Sequence, residues 1–450
     1  MLSKISFNKF SLGYAISSFL ITFGTMTLLK SVTTNLFLIG ATGFELILYV
    51  ASIAFFSLIL AFLAPLLGYL SDKKKPGSRR RHYLIIGIVG MSVVTLLYYF
   101  SPLHFGFTDL FLNILYFVII HCIYSFSSII FNINFISLYP EMFQDTNSRS
   151  KIIVLLLGFS ALASLIIVIL EVFFVLEEIY FGIIFSLLII LGGIILFRYG
   201  YDEPYLRLLE KPKPNEHSSY KILSSSNKLF KWFLIAFFFI TILELLIESA
   251  LVNIWSISLE NVTPSLVEII VFFKDIIPSV SIIMFLLYWR KLSLSIGIKK
   301  LLNVLMLTLL IFTLSLLFLF DLVSGLILTF LFNASLSGLS FVKLLFLAII
   351  IDHYFLNNGK RCEATYFGLN YTFNSISGFI GVFLGQMITN FSAIFINPLD
   401  GLQDYYFLNK IGLSLIALIF IGISMVLIRK IPLDREKYNT IEKEITEMNT

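Results

Sequence analysis

Five charged side chains, Glu244, Glu248, Lys274, Asp275 and Lys343, lie inside long apolar stretches of this 450-residue chain. Holding an ion in hydrocarbon costs from about 3 to more than 10 kcal/mol, so such groups must face an internal cavity or one another. Glu244 and Glu248 are one helical turn apart and share a face. Lys274 and Asp275 fall at a similar depth but point about 100° apart on a helix, so they cannot both serve one partner. Matching depth and a short connecting loop favour Glu244 or Glu248 with Lys274. A carboxylate set against a lysine can take up and release a proton, or hold a charged group of a solute. The plainer alternative is an ion pair that only joins two helices. Lys343 is read as a lysine that snorkels its ammonium towards the membrane surface.

Neutral polar groups form the second set. Asn132, Asn134, Asn370 and Asn374 stand in apolar surroundings and offer both donors and acceptors to hydroxyl groups. Asn370 and Asn374, four residues apart, share a face, and Tyr366 could stack on a ring or simply pack. His121 reads as a satisfied core residue. No catalytic, metal or cofactor site is expected. The two cysteines, Cys122 and Cys362, are far apart, and Gly378, Gly381 and Gly385 are spaced for close helix packing and not for cradling phosphate.

The elements that must position these groups follow from composition. The chain is 58% hydrophobic and 13% charged, where soluble proteins carry about a quarter charged residues. This predicts an all-α multi-pass membrane protein with the lipid bilayer as its surroundings. Apolar segments long enough to span recur near residues 10–30, 43–71, 83–100, 110–138, 152–175, 179–198, 232–255, 264–289, 301–320, 322–351, 364–390 and 411–429. Lys and Arg gather in the even-to-odd connections and at both ends, so twelve transmembrane helices with cytoplasmic N- and C-termini are expected. Trp232 and Trp255 bracket the seventh segment about 34 Å apart, as interfacial anchors do. The net charge of +5 is thus membrane-adjacent and predicts no nucleic-acid partner.

Residues 199–231, with Lys211-Pro-Lys-Pro and Ser224-Ser-Ser, have linker composition. They separate an N-terminal six-helix bundle (1–198) from a C-terminal one (232–429), leaving a cytoplasmic tail at 430–450. Two six-helix bundles joined in this way are the major facilitator architecture, with its substrate site expected at mid-depth between the halves. A monomer is the default for that architecture.

Three stretches concentrate charge at predicted cytoplasmic helix ends. They are Pro65-x-x-Gly68-x-x-Ser71-Asp72 with Arg79-Arg80-Arg81, Leu138-Tyr-Pro140-Glu141-x-x-x-Asp145-x-x-x-Arg149, and Gly359-Lys360-Arg361-Cys-Glu363-Ala-x-Tyr366-Phe-Gly368. Asp72 faces the arginine cluster, and Glu141 with Arg149, and Arg361 with Glu363, set opposite charges at neighbouring helix mouths. Asp72, Arg79, Arg80, Arg81, Glu141, Arg149, Arg361 and Glu363 are therefore candidate gate residues, with ordinary solvated positive-inside charge as the alternative.

Together these stretches resemble the glycoside–pentoside–hexuronide:cation symporter branch of the major facilitators, which includes melibiose carriers. The resemblance implies transport of a sugar or glycoside driven by a cation. The residues depart from it at the cation site. The paired acids on helix 2 fall at Leu60 and Ala64, the acid on helix 4 at Asn132, the lysine on helix 11 at Ser375, and a further acid near Leu20. Any coupling ion, with a proton as the candidate, would therefore have to work through the acids of the seventh segment. The expectation is a secondary transporter of a small polar solute by alternating access. A carrier of lysolipids or other amphiphiles, and a transporter-like sensor that moves nothing, are the alternatives.

Overall fold

In hydrocarbon no water is available to backbone N–H and C=O groups, so a spanning segment must satisfy them within itself. This outweighs the abundant Phe, Ile and Val, which are only middling helix formers in water. The computed structural model describes residues 2–25, 43–73, 80–100, 102, 106, 109–143, 145–173, 178–201, 227–258, 264–318, 322–358, 361–395, 402–433 and 435–449. Among them are thirteen α-helices and no strand. The helices are α1 (Leu2–Thr25), α2 (Gly43–Lys73), α3 (Arg81–Tyr99), α4 (Leu110–Met142), α5 (Thr146–Phe173), α6 (Glu178–Ile195) and α7 (Lys228–Ser258). They continue as α8 (Pro264–Ile296), α9 (Ile298–Ser315), α10 (Leu322–Asn358), α11 (Glu363–Phe395), α12 (Leu402–Lys430) and α13 (Arg435–Asn449).

Ten of these, α2–α10 and α12, are long and apolar enough to cross a membrane over their described residues. In α1 the side chains described begin at Phe10, and the apolar stretch among them is Phe10–Thr25. α11 is rich in Gly, Asn, Ser and Thr, which lowers its hydropathy. Each apolar segment read from the sequence overlaps one of α1–α12, with residues 26–30, 174–175 and 319–320 outside the described set. The central linker lies largely outside it as well, at 202–226. The tail forms α13.

The chain divides into two units: Met1–Asn215 with Asn357–Thr372, and Glu216–Leu356 with Phe373–Met448. In the first, α1 packs on α5 and α6, α3 on α4 and α6, and α2 on α4. Its core is aromatic, with Phe23, Tyr98, Tyr99, Phe117 and Phe185 buried together. The outer face of α2 instead exposes Phe55, Ile59, Phe62, Leu66 and Leu70 at helical spacing. A run of that kind is costly in water but favourable against lipid.

In the second unit α12 packs on α7 and α9. α8 turns into α9 through Gly297, whose φ of 86° suits a residue without a side chain. Two residues on, Lys299 donates to Ile431 O (2.7 Å) and so neutralises the carbonyl end of α12. The tail is anchored to this unit by Leu433, Ile441 and Ile445, all buried.

Candidate functional site

The charge cluster is built from helix ends. α2 contains Pro65, which has no N–H to give to the carbonyl four residues earlier, that of Ala61. Thr372 of α11 supplies the missing donor, its Oγ1 lying 2.7 Å from Ala61 O. Replacing Thr372 by valine is expected to cost about 1–3 kcal/mol, the usual penalty for an orphaned buried acceptor, read as a fall in thermal midpoint. Between this bond and the end of α2 the two backbones touch. A Cβ on Gly68 would stand 2.2 Å from Ala364 O, and one on Gly368 would stand 2.5 Å from Ala64 O.

That approach carries Asp72 to the first turn of α11. Its carboxylate accepts from Thr365 N (2.8 Å), Thr365 Oγ1 (2.7 Å) and Ala364 N (3.3 Å). A carboxylate there satisfies orphan N–H groups and meets the positive end of the helix dipole.

The hub of the cluster is Arg80, whose side chain is 0% exposed. Its Nη1 lies 3.0 Å from Asp72 Oδ1, its Nε donates to Glu141 Oε1 at 3.0 Å, and its Nη2 also binds Glu141. The same Nη2 reaches Glu363 Oε2 at 3.4 Å. Glu363 in turn pairs with Arg361 at 3.2 Å. Behind them Nη1 of Arg80 donates to Ser71 Oγ (3.3 Å), and Ser71 donates to Asn134 Oδ1. Arg149 directs its guanidinium to the carbonyl end of α4, with Nε on Phe143 O (2.6 Å) and Nη2 on Pro140 O (3.2 Å).

Asp72, Glu141 and Glu363 are thus gathered around Arg80 and Arg361, with Arg149 seated on the carbonyl end of α4, and all six are buried. Among the described residues these three negative and three positive groups balance. Arg81 is exposed, and Arg79 lies outside the described residues. A planar fork with five donors spreads over three carboxylates on separate helices more readily than a compact ammonium does.

A polar stripe runs along α4. His121, Tyr124, Ser125, Ser128 and Asn132 recur at helical spacing and are half-buried. His121 has both ring nitrogens engaged, Nδ1 with Tyr98 Oη (2.8 Å) and Nε2 with Ser57 Oγ (3.4 Å). Tyr124 shares hydrogen bonds with Ser128 and Thr25, and Asn132 Nδ2 donates to Ser128 Oγ at 2.9 Å. Asn134, two residues on, is fully buried. Its amide is used in packing, accepting from Ser71 and donating to Ile130 O (2.8 Å), so it is not presented to a solute. Tyr366 is likewise fully buried. Asn370 keeps a buried Oδ1 with no hydrogen-bond partner among the described residues.

In the second unit Phe237, Thr241, Glu244 and Glu248 line one face of α7. Lys343 of α10 points at this face. Its ammonium donates to Asn374 Oδ1 (2.7 Å) and Thr241 Oγ1 (3.2 Å) and stands 5.6 Å from the centre of the Phe237 ring. Glu244 lies within electrostatic reach of both Lys343 and Glu248. The sequence suggested Lys274 as the cation facing Glu244. The side chains of Lys274 and Asp275 lie outside the described residues, and among the described ones Lys343 occupies that place. Its inward direction was not legible, because a snorkelling lysine and an inward one have the same flanking sequence.

The Major Facilitator Superfamily model matches residues 5–382, most of the chain. The chain belongs to the Major Facilitator Superfamily. It is a multi-pass membrane protein with a transporter fold. Among solved structures it is similar to the human organic anion transporter MFSD10 (TETRAN), at 13% identity and a TM-score of 0.61. That match covers 92% of this chain and 99% of the other. It is also similar to a bacterial homologue of the iron transporter ferroportin in an outward-facing state, at 12% identity and a TM-score of 0.64. There the coverage is 94% of this chain and 99% of the other. No curated protein matches the sequence significantly.

Proposed function

We propose that this major facilitator is a secondary transporter that moves a small polar solute by alternating access, and that its buried charge cluster is the cytoplasmic gate. The observation that carries the reading is Arg80, fully buried among Asp72, Glu141 and Glu363 while Asp72 caps α11. A buried ion network is a poor source of stability, because desolvation offsets most of the attraction. It is a good two-state lock, since it is satisfied only when α2, α3, α4 and the start of α11 are together. Opening exchanges these contacts for water, at a cost that solute binding can offset.

A sugar or glycoside is the preferred solute class. The α4 stripe offers hydroxyl, amide, imidazole and phenol groups in a row, the chemistry that hydroxyl-rich solutes need. The charge motifs at the helix ends support kinship with the glycoside–pentoside–hexuronide branch. Leu60 and Ala64 put any proton coupling on Glu244 and Glu248 instead.

Purified protein in liposomes, offered labelled sugars, glycosides and lysolipids with and without an inward proton gradient, tests this. Saturable uptake of a sugar is the expected result, with accumulation that follows the gradient and is lost in Glu244→Gln. Equilibration indifferent to the gradient would remove coupling and leave a uniporter. Uptake confined to lysolipids would replace the solute class. Absence of any flux would overturn the transporter reading.

A further inference from the structure

Lys343 makes fewer bonds than its chemistry allows. An ammonium has three N–H donors. Thr241 Oγ1 and Asn374 Oδ1 take two of them, and both acceptors are neutral. Among the described residues no carboxylate forms an ion pair with it. The nearby charge is Glu244, a turn along α7 from Thr241, close enough to be felt but not bonded. Phe237 closes another side with the face of its ring, which attracts a cation without neutralising it.

The contrast with Arg80 is instructive. There the same molecule surrounds a buried cation with three carboxylates. At Lys343 it fixes the ammonium through neutral acceptors from two helices, α7 and α11, and leaves the charge to be met from elsewhere. Charge in a membrane interior is expensive unless paired. An ammonium held this way is a receptor for an anion.

We propose that Lys343, held by Asn374 and Thr241, is an anion-binding site, and that the hydroxyl-rich solute proposed above is an acidic sugar, whose carboxylate binds there. The incoming carboxylate accepts the third N–H of Lys343 and can take a further bond from the Thr241 hydroxyl, while Glu244 acts as the competing negative charge. The identification of the anion with the transported solute rests on the transporter reading above. The geometry of the site does not.

The test uses the whole purified protein and paired probes that differ by a carboxylate: glycerate with glycerol, gluconate with glucose. Thermal unfolding is followed at constant chloride, and uptake of the same compounds into liposomes is measured in parallel. At least one carboxylate is expected to raise the midpoint by about 2 °C or more at saturating concentration, its neutral partner having no effect. Lys343→Arg should keep the shift and Lys343→Gln should lose it.

Asn374→Asp separates binding from mere structure, and serves also if Lys343→Gln does not fold. It gives the ammonium a built-in carboxylate at the position of the present 2.7 Å contact. The variant should therefore be as stable as the parent, or more so, yet no longer respond to carboxylates. A purely structural lysine predicts no anion effect in any of these proteins, which would overturn the proposal. Uptake of the neutral partners, unchanged in Lys343→Gln, would overturn it too while leaving the transporter reading intact. Carboxylate-dependent stabilisation without flux would uphold the anion site and sink the transport reading.

Discussion

Replacing Arg80 by alanine or glutamine is expected to abolish transport and to destabilise the protein by about 3–5 kcal/mol, the usual result of removing one partner from a buried ion network. The cost comes from what remains. Asp72, Glu141 and Glu363 are buried and are brought together around that guanidinium. Without it three carboxylates face one another in a poorly solvated place, and the cheapest relief is to part the helices and admit water. The proposed gate should therefore rest open. Cys362, buried beside Arg361 at the mouth of α11, reports this directly. In a Cys122→Ala background its maleimide labelling should accelerate at least about tenfold, the change that about 1.4 kcal/mol in the closed–open equilibrium produces. Arg80→Lys should fall between, since a compact ammonium spreads less readily over three acceptors on separate helices. Adding Glu141→Gln to Arg80→Gln should restore part of the stability, because one unpaired charge is removed. Normal uptake and unchanged Cys362 labelling in Arg80→Gln would show that the cluster is not a gate.

A comparable effect is expected from a much smaller change. Gly68→Val and Gly368→Val insert side chains where α2 and α11 touch backbone to backbone. The nearest atoms to an added Cβ are main-chain atoms, Ala364 O at 2.2 Å for Gly68 and Ala64 O at 2.5 Å for Gly368. No rotamer change can relieve a clash with backbone, so the helices must separate. Asp72 would then lose its bonds to Ala364 N, Thr365 N and Thr365 Oγ1 together. Both variants should lose transport and label rapidly at Cys362, while their charged groups remain intact. Gly68→Ala should behave in the same way to a lesser degree. Slow labelling together with full transport in Gly368→Val would mean that closure does not need this contact.

The two predictions separate the contributions of charge and of shape. If only the arginine variants open the gate, closure is electrostatic and the glycines are packing detail. If both sets do, close approach is what places Asp72 on the α11 terminus, and the ion network is a consequence of it. The order of the residues along α2 favours the second. Pro65 frees the Ala61 carbonyl for Thr372, Gly68 lets the backbones meet, and Asp72 lies beyond both.

Much of this was legible in the chain. Bilayer thickness sets the length of each apolar segment, and the need to satisfy backbone groups in lipid makes it helical, whatever lies next to it. The membrane class and the places of the helices therefore follow from local sequence. So does the crowding of charge at the ends of α2, α4 and α11, because those residues are adjacent in the chain. The partners are another matter. Arg80 stands just before the first turn of α3 and Arg81 begins it, and only packing decides which of the two turns inward. It is Arg80 that is buried and Arg81 that is exposed. The sequence set Glu141 beside Arg149; that Arg80 also binds Glu141, and that Arg149 donates to the carbonyl end of α4, follow only from packing. Asn132 and Asn134 are equivalent by type and depth, but two residues of helix put one on the half-buried stripe and the other in the core. Lys343 could have reached towards water along α10, and it is Asn374 of α11 and Thr241 of α7, 31 and 102 residues away, that hold it inside. Local sequence fixes which stretches are helices and where charge is available. Which charges meet depends on how helices distant in sequence are rotated and packed, and only the tertiary structure determines that.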